Sequence, residues 1–369
     1  MPACGKATLE KLKRRSFSCH KRQISGPVVV SARLRNSAIK CTVNKQRRIR
    51  VFERLGMDIV DGAEVTRVLS FPVLIAALEV AHRRPKLEVL DGYLGGEGAQ
   101  YVIRSAVDRG RYMCSKMFTS FPANLSGGKL PAVQAVCVLF DGSDGRPLAV
   151  IDGTAITHWR TAADSALGAK FLAAPEPRTL LVVGAGEMSR WLVLAHRTVR
   201  PSLERVLIWN RSHERAGRLV ERLAREGIQA EMAPDLDVAT READVITACT
   251  RSHTPLIKGA NLKPGVHLDL VGGYTPQTRE ADDEAARRSL VFVDRRETAF
   301  DGVGDILQPI ASGAIKETDV LGDLYDLAGG TVMGRRAATD ITFYKNAGGG
   351  HLDLMTCEAV FHQLGARSG

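Results

Sequence analysis

Two patterns of apolar residues divide the chain. After Ser70, apolar residues such as Leu74 and Leu78 recur at helical spacing, which predicts a helix with Ser70 as its N-cap. The stretch "LPAVQAVCVLFDGSDGRPLAVIDG" alternates apolar and polar residues on both sides of "DGSDG", which predicts a β-hairpin with a loop longer than two residues. The next stretch, "ITHWRTAADSALGAKFLA", predicts a helix capped by Thr157.

From Thr179 onwards, short continuous apolar runs alternate with helical patterns. The runs are "TLLVV", "RVLIW", "IQAEM", "DVITA", "VHLDLV" and "LVFVD". Because these runs lack strict alternation, they predict strands that are covered on both faces, as in a parallel sheet with helices on either side. We therefore predict an α/β fold in which a doubly wound dinucleotide-binding domain spans residues 175–305. The later stretch "TDITFYKNAGGGHLDLM" is interpreted as a return to the first domain, so that the middle domain is an insertion.

The first of these runs is followed by the turn "GAGEMS". Gly184 permits a sharp turn, Gly186 lets the backbone approach a pyrophosphate at a helix N-terminus, and Ser189 is the small residue where helix packs on strand. A lone Gly-x-Gly is a weak signal, but its place between strand and helix favours a Rossmann-type NAD(P) site over a merely structural turn. The predicted cofactor-binding residues are Gly184, Ala185, Gly186, Glu187, Met188, Asn210, Arg211, Ser212, Thr250, Val271 and Gly272.

The second run is followed by "NRSHER", which bears on the choice of cofactor. A site that prefers NAD usually has Asp or Glu at this point, where the carboxylate binds the ribose hydroxyls. Here Asn210, Arg211 and Ser212 offer a guanidinium and a hydroxyl, which suit a 2′-phosphate. The residues thus predict NADPH, with NADH possible if Arg211 is only a solvated surface charge.

Composition changes this picture mainly at the N-terminus. The net charge of +10 divides into +13 on residues 1–56, which hold 15 Lys/Arg and two acids, and −3 on the remainder. This basic extension could bind nucleic acid or act as a targeting arm, or it could be a disordered extension or translated sequence upstream of the true start. We predict the disordered extension and expect no nucleic-acid partner. No apolar stretch approaches 18 residues, so we expect no membrane partner.

The seven cysteines are scattered along the sequence. They are Cys4, Cys19, Cys41, Cys114, Cys137, Cys249 and Cys357. No pair has the spacing of metal ligands, and neither have His158, His267 and His351, so the sequence predicts no metal site. An odd number of dispersed cysteines is typical of reduced thiols, which indicates a cytoplasmic protein.

Several motifs outside the glycine turn carry a family resemblance. The stretches "SKMFTSFPAN", "HWRTAAD", "HLDLVGGYTP", "DILQPIASGAI" and "ITFYKNAGGG" resemble the ornithine cyclodeaminase/mu-crystallin family, in the same order, over roughly residues 57–364. The resemblance implies a Rossmann-type NAD(P) domain, residues 175–305, inserted in an α+β substrate-binding and dimerisation domain, residues 57–174 plus 306–369. It also implies a homodimer.

The resemblance assigns two residues to the substrate. Lys116 matches the family's active-site lysine, and Arg160 matches the arginine that holds the substrate carboxylate. A bidentate guanidinium fixes a planar carboxylate, and a buried lysine can transfer a proton near an imine nitrogen. Without the resemblance, Lys116 could be a solvated strand end and Arg160 a helix-surface residue. The roles of Asp305 and Lys345, which fall in family motifs, stay open.

This chain departs from the family at two places. No arginine follows Pro85, so the family's early arginine has no match, and Arg84, Lys86 or Arg104 could take its work. Where cyclodeaminases have an aspartate after "VGG", this chain has Tyr274, which cannot act as a carboxylate base at neutral pH.

The second departure favours the branch that reduces Δ1-pyrroline-2-carboxylate, a cyclic imino acid, to L-proline with NADPH. The alternatives are an ornithine cyclodeaminase, a related amino-acid dehydrogenase, or a protein that binds NADPH and a small ligand without turnover.

Overall fold

The computed structural model describes residues 56–96, 98–124 and 130–368, so the predictions for the basic extension lie outside the described residues except at Gly56. The strands are β1 (Asp58–Val60), β2 (Glu88–Gly96), β3 (Ala99–Asp108), β4 (Tyr112–Ser120), β5 (Val133–Asp141), β6 (Pro147–Asp152), β7 (Thr179–Val183), β8 (Arg205–Trp209), β9 (Glu231–Met232), β10 (Val245–Ala248), β11 (His267–Leu270), β12 (Leu290–Val293), β13 (Val320–Gly322) and β14 (Thr342–Lys345). The helices are α1 (Gly62–Val68), α2 (Phe71–His82), α3 (Gly153–Leu172), α4 (Glu187–Val199), α5 (His213–Arg225), α6 (Leu236–Glu242), α7 (Asp283–Arg287), α8 (Arg296–Ala299), α9 (Gly304–Ala311), α10 (Leu324–Gly329) and α11 (Gly350–Ser368).

The first sheet is mixed and contains six strands in the order β1-β6-β5-β4-β3-β2. Strands β2 to β6 form a continuous antiparallel meander, and β1 pairs with β6 in parallel. The predicted hairpin is confirmed as β5 and β6. Helix α11 packs on the face of β3 and β4, so that side chains alternating along these strands point either at this helix or away from it.

The second sheet contains eight strands in the order β13-β12-β14-β11-β10-β7-β8-β9, and every pair is parallel. From β7 the chain proceeds to β8 and β9 on one side, and then crosses to β10 and β11 on the other. That reversal makes a crevice at the carboxyl ends of β7 and β10, where ligands bind in doubly wound sheets. The predicted Rossmann-type fold is therefore confirmed.

Three details of the sequence prediction need correction. Helix α3 begins at Gly153 rather than after Thr157, because Asp152 caps it by accepting hydrogen bonds from the backbone N–H groups of Thr154 (2.8 Å) and Ala155 (3.0 Å). Of the run "IQAEM", only Glu231–Met232 is a strand. The prediction that Ser70 is the N-cap of α2 is confirmed, and its side chain makes no capping bond.

The third correction concerns the extent of the parallel sheet. The sequence pattern assigns "ITFYK" to the first domain, but β14 lies inside the parallel sheet between β11 and β12, and β13 forms the edge of that sheet. A buried strand with Phe343 and Tyr344 has the same apolar character in either sheet, so its pattern cannot show which sheet it joins. The parallel sheet thus extends past residue 305, while the division of the chain into domains stays a prediction.

Helix α3 connects the two sheets. It is buried on nearly all sides, with Ala163, Ala166 and Leu167 fully buried in the core that it shares with the first sheet. Its polar residues bond to the parallel sheet, since Ser165 Oγ donates to Asp269 Oδ1 on β11 at 2.9 Å. This packing brings the N-terminal half of α3 to the carboxyl edge of the parallel sheet.

No single helix in the described part of the chain is long and apolar enough to span a membrane. Helices α1 and α2 together have the required length and composition, but they are bent by 84°.

Candidate active site

The glycine turn forms the sharp connection that its sequence predicts. Gly184 has φ of +115°, and a β-carbon there would lie 2.7 Å from the carbonyl oxygen of Cys249, so only glycine fits. Gly186 is the N-cap of α4, and a β-carbon at this residue would meet nothing within 4 Å. Ser189 Oγ donates to the Gly184 carbonyl (3.0 Å) and accepts from Gly186 N–H (3.1 Å). Ser189 therefore stabilises the turn from the protein side, and the side at Gly186 is accessible, where a pyrophosphate would bind.

Of the three predicted cofactor residues after β8, two hold the local structure and one forms no hydrogen bond or ion pair with a described residue. Asn210 accepts a hydrogen bond from Ala185 N–H at 3.2 Å and donates to the Ser212 carbonyl at 3.0 Å, so its amide ties the glycine turn to the β8 loop. Ser212 caps helix α5. Arg211 is exposed and forms no hydrogen bond or ion pair with any described residue, which leaves its guanidinium available to a ligand.

On the other side of the crevice, Glu280 ties two loops together. Its Oε1 accepts from the backbone N–H (2.6 Å) and the hydroxyl (2.8 Å) of Thr250, after β10. Its Oε2 accepts from Gly272 N–H (2.6 Å), after β11. Burial, followed by the nearby Asp305 carboxylate, raises the pKa of Glu280 to about 7. The predicted cofactor residues Thr250 and Gly272 are thus positioned by an acid that the sequence prediction missed.

Asp305 and Lys345, whose roles the sequence left open, complete this arrangement. Asp305 Oδ1 accepts from Glu280 N–H at 2.7 Å, and its Oδ2 accepts from Lys345 Nζ at 3.0 Å. A β-carbon on Gly273 would lie 2.1 Å from Asp305 Oδ2, so the loop passes directly over the carboxylate. All three charged side chains are buried, and they stabilise the loop backbone rather than point into an open pocket.

Lys116 lies on β4, facing α11, and is only 1% exposed. Its Nζ is 2.6 Å from Asp353 Oδ1 and 3.4 Å from Thr157 Oγ1. Burial lowers the pKa of Lys116, while the Asp353 carboxylate acts in the opposite direction. These contacts rule out a solvated strand end, because the ammonium group is enclosed and paired with one carboxylate.

Arg160 reaches the same carboxylate from α3. Its Nε is 3.5 Å from Asp353 Oδ1 and makes no hydrogen bond with any described residue. Gly348, with φ of +74°, closes one side of the guanidinium, since a β-carbon there would lie 2.5 Å from Nη1. Arg160 is 7% exposed and is therefore not a helix-surface residue. It has hydrogen-bonding capacity to spare for a carboxylate.

The three candidates for the early arginine have different surroundings. Arg84 forms ion pairs with Glu358 and Asp108, and Lys86 with Asp323 and Glu297. Arg104, on β3, is the cross-strand partner of Lys116.

The cross-strand position puts Arg104 on the same face of the sheet as Lys116. Its Nε is 3.1 Å from Asp91 Oδ2 on β2. The guanidinium of Arg160, on α3, also approaches this face, so Arg104, Lys116 and Arg160 all lie near the carboxylates of Asp91 and Asp353.

Asp353 is the second functional residue that sequence reasoning missed. It lies in the first turn of α11, is 1% exposed, and leaves its Oδ2 without a hydrogen bond among the described residues. Its signal was an acid inside the apolar stretch "HLDLM", where an unpaired carboxylate would be costly. Tyr274, by contrast, is 51% exposed and contributes no carboxylate.

In the part of the chain that the structure describes, the buried histidines His267 and His351 do not form a cluster of possible metal ligands with each other, whereas three cysteines do. His267 is buried with its Nδ1 2.9 Å from Thr342 Oγ1, and His351 is buried elsewhere in the core. Within the described ranges, the one group of three or more possible metal ligands is formed by Cys114, Cys137 and Cys357. Cysteines that are scattered in the sequence thus converge in space.

A Rossmann-type crevice beside a buried cluster of cations and carboxylates defines a dinucleotide-binding protein. The model of the ornithine cyclodeaminase/mu-crystallin family matches residues 98–367. The chain therefore belongs to this family, which confirms the resemblance.

Known relatives agree over most of the chain. A Δ1-pyrroline-2-carboxylate reductase of Paracoccus denitrificans is 42% identical over 299 residues, which cover 80% of this chain and 94% of that protein. The solved structure of Thermococcus litoralis Δ1-pyrroline-2-carboxylate reductase in complex with NADH and L-proline is 26% identical with a TM-score of 0.80, covering 85% of this chain and 98% of that one. An archaeal alanine dehydrogenase dimer with bound NAD is 27% identical with a TM-score of 0.78, covering 85% of this chain and 97% of that one.

Proposed function

We propose that this protein reduces the C=N bond of Δ1-pyrroline-2-carboxylate to give L-proline, using a nicotinamide dinucleotide. The observation that carries the proposal is the buried group of Lys116, Arg160 and Asp353 at the carboxyl edge of a parallel sheet with an open glycine turn. The 42% identity to a reductase of this substrate supports it.

The residues fit a dinucleotide. The backbone N–H groups at Gly186 and the first turn of α4 would hold the pyrophosphate, and the loops at Thr250 and Gly272 would border the nicotinamide. When bound, the cofactor supplies a hydride, which adds to C2 of the imino acid. The chain itself has to place that carbon, neutralise the carboxylate and supply a proton to the nitrogen.

Carboxylate binding is the work of Arg160, with Arg104 as the second cation. Arg160 has a free Nε and a planar fork, which matches a carboxylate better than a point charge does. Arg104 faces the same side as Lys116 and is therefore our candidate for the family's early arginine.

The proton is handled by Lys116. Its Nζ already donates to Asp353, so the carboxylate fixes the direction of the ammonium group and stabilises its charge in a buried place. A reduced imine gains one hydride at carbon and needs one proton at nitrogen, which the Lys116 ammonium can donate. Asp353 acts as a positioning residue for Lys116 and Arg160, because both contact the same oxygen.

The alternative of ornithine cyclodeamination is less well supported. That reaction needs a base for ammonia release and ring closure, and Tyr274 stands where cyclodeaminases have an aspartate. Tyr274 is exposed and offers a phenol in place of the carboxylate, so it does not supply this base.

NADPH is the cofactor we infer from the residues after β8. Arg211 is exposed and unpaired in the described structure, and no carboxylate occupies position 210 to bind both ribose hydroxyls. The T. litoralis relative holds NADH, so NADH remains the second candidate for this chain.

A homodimer is supported by the outer face of the first sheet. This face, opposite α11, carries Leu90, Leu94 and Tyr101, which are 70%, 64% and 37% exposed. It continues through the cross-strand row of Ile103, Met117 and Val136. Contiguous exposed apolar residues of this kind mark protein interfaces.

The double variant Leu90→Glu, Leu94→Glu tests this interface and should sediment as a monomer. An unchanged oligomer would place the interface elsewhere.

The function is tested with the full chain, NADPH or NADH, and a panel of substrates. Δ1-Pyrroline-2-carboxylate, its six-membered homologue, pyruvate with ammonia, and L-ornithine with NAD are followed by cofactor absorbance and ammonia release. We expect fast reduction of the cyclic imino acids and little ammonia from ornithine. Brisk ammonia release would restore the cyclodeaminase, and cofactor binding without any turnover would make the chain a binding protein.

A further inference from the structure

Three cysteines from three different elements meet beneath the first sheet. Cys114 is on β4, Cys137 on β5 and Cys357 on α11, and their sulfur atoms all lie within 4.8 Å of one another. All three are buried, with exposures of 3%, 0% and 0%. None of the three forms a disulfide bond.

We propose that Cys114, Cys137 and Cys357 form a binding site for a thiophilic d10 metal ion of the Zn²⁺ class. Three thiolates are a ligand set that soft and borderline cations prefer, whereas Mg²⁺ and Ca²⁺ bind oxygen. The proposal is separate from imine reduction, which needs no metal in the mechanism above.

The sulfur positions already suit such an ion. With Zn–S bonds of about 2.3 Å, two sulfurs of a tetrahedral site are about 3.8 Å apart. The Cys114 and Cys357 sulfurs are 3.8 Å apart, and neither remaining separation exceeds 4.8 Å. The cage therefore has to contract by about 1 Å at most. Because two strands and a helix hold the ligands, little ordering is needed when the ion binds.

A neighbouring cation can offset the charge of such a complex. Zn²⁺ with three thiolates carries one negative charge, which would be expensive in a buried place without a partner. Lys116 is the cross-strand partner of Cys137, on the same face, and supplies a neighbouring positive charge. Cys357 follows Asp353 by one helical turn, so a bound ion would lie beside the Lys116–Asp353 pair.

The experiment measures metal binding directly. The full chain, reduced and stripped with a chelator, is titrated with Zn²⁺ against a chromophoric chelator, and with Co²⁺ to record the thiolate-to-metal charge-transfer band. We expect one tightly bound ion per chain and a band of the intensity that three thiolates give. Cys357→Ala should weaken zinc binding by about a hundredfold or more, since the binding free energy is shared among few ligands.

Matched controls separate this site from the other thiols. The triple variant Cys4→Ser, Cys19→Ser, Cys41→Ser and the single variant Cys249→Ser should bind zinc like the parent chain. Circular dichroism checks that each variant is folded, and Cys137→Ser replaces Cys357→Ala if the latter is not. The proposal is overturned if folded Cys357→Ala or Cys137→Ser binds zinc as tightly as the parent chain does. The three cysteines would then be core residues only.

Discussion

The cofactor half and the substrate half of the site are built from different groups. At the crevice of the parallel sheet, the groups offered to a ligand are mainly backbone N–H groups, and the side chains of Ser189, Asn210 and Glu280 hold that backbone in place. Under the first sheet, the groups offered are charged side chains, and Arg160 and Lys116 share a single carboxylate oxygen.

The difference decides how each half should respond to change. A backbone site loses little when a neighbouring side chain is altered, provided that the turn keeps its shape. A site made from buried charges is more sensitive to substitution, because removing one partner of an ion pair leaves the other charge unpaired and away from water. Substitutions in the substrate half should therefore act on turnover, and those in the cofactor half on cofactor affinity.

Lys116→Met should show the largest effect. It removes the proton donor and leaves Asp353 without its 2.6 Å partner, while nearly preserving side-chain volume. Loss of a general acid costs about 10²- to 10⁴-fold in kcat. NADPH affinity, measured by fluorescence, should change little because the cofactor residues lie on the other sheet.

The matched control is Lys86→Met, which removes a partly exposed lysine that pairs with Asp323 outside the pocket. Its turnover should stay near that of the parent chain. If Lys116→Met reduces imines at the parent rate across neutral pH, the lysine is not the proton donor, and the contrast between the two halves fails at its central residue.

A pH experiment probes Glu280, a buried acid of the cofactor half. Burial raises the folded-state pKa of Glu280 to about 7, above its ordinary value near 4.5. Between these values the folded chain binds a proton that the unfolded chain has lost, so the free energy of unfolding falls as pH rises from about 4.5 to 7, by up to roughly 3 kcal/mol. Glu280→Gln cannot titrate and should lack this part of the pH dependence.

Urea denaturation of both proteins at pH 5 and pH 8 checks this expectation. The free energy of unfolding of the parent should drop more between the two pH values than that of Glu280→Gln. Parallel changes would show that Glu280 stays ionised in the folded state, held so by the N–H groups of Thr250 and Gly272.

Arg160→Lys tests the geometry of the substrate half. The substitution keeps the positive charge but loses the planar fork, so the carboxylate is held less firmly and C2 is misplaced relative to the hydride. We expect about a hundredfold loss in kcat/KM for the imino acid. Arg104→Lys is the comparison, since it shows whether the second cation also binds in a two-pronged manner. An unchanged kcat/KM in Arg160→Lys would leave charge alone as its contribution.

The sequence predicted the cofactor half better than the substrate half, and the reason is physical. A parallel strand followed by Gly184 and Gly186 leaves a local pattern, because strand, turn and helix are consecutive along the chain. The pairing of Lys116 with Asp353 joins residues 237 positions apart, and no local pattern records it. Family resemblance supplied Lys116 and Arg160, yet not the acid that both contact.

The same limit explains the other differences. Strand β14 has the apolar character of either sheet, so only its partners β11 and β12 show where it belongs. Glu280 follows a polar stretch that predicts a surface loop, and only the folded chain brings its carboxylate beneath Thr250 and Gly272. Three cysteines with no shared spacing converge because β4, β5 and α11 pack together.

The smallest effect is expected at Arg211, and it sharpens the contrast from the cofactor side. Its guanidinium is the one exposed, unpaired charge among the predicted cofactor residues of the described structure, so it can act only through a ligand. A lost charge-assisted contact to a 2′-phosphate costs roughly 1.5–3 kcal/mol, or about tenfold to a hundredfold in KM for NADPH. The KM for NADH and the turnover of bound substrate should not change.

Arg225→Ala, at the far end of α5, is the control for Arg211→Ala, since it removes an exposed arginine remote from the turn. Equal effects of Arg211→Ala on both cofactors would mean that the 2′-phosphate is bound elsewhere, and NADH would then become the preferred cofactor of our proposal.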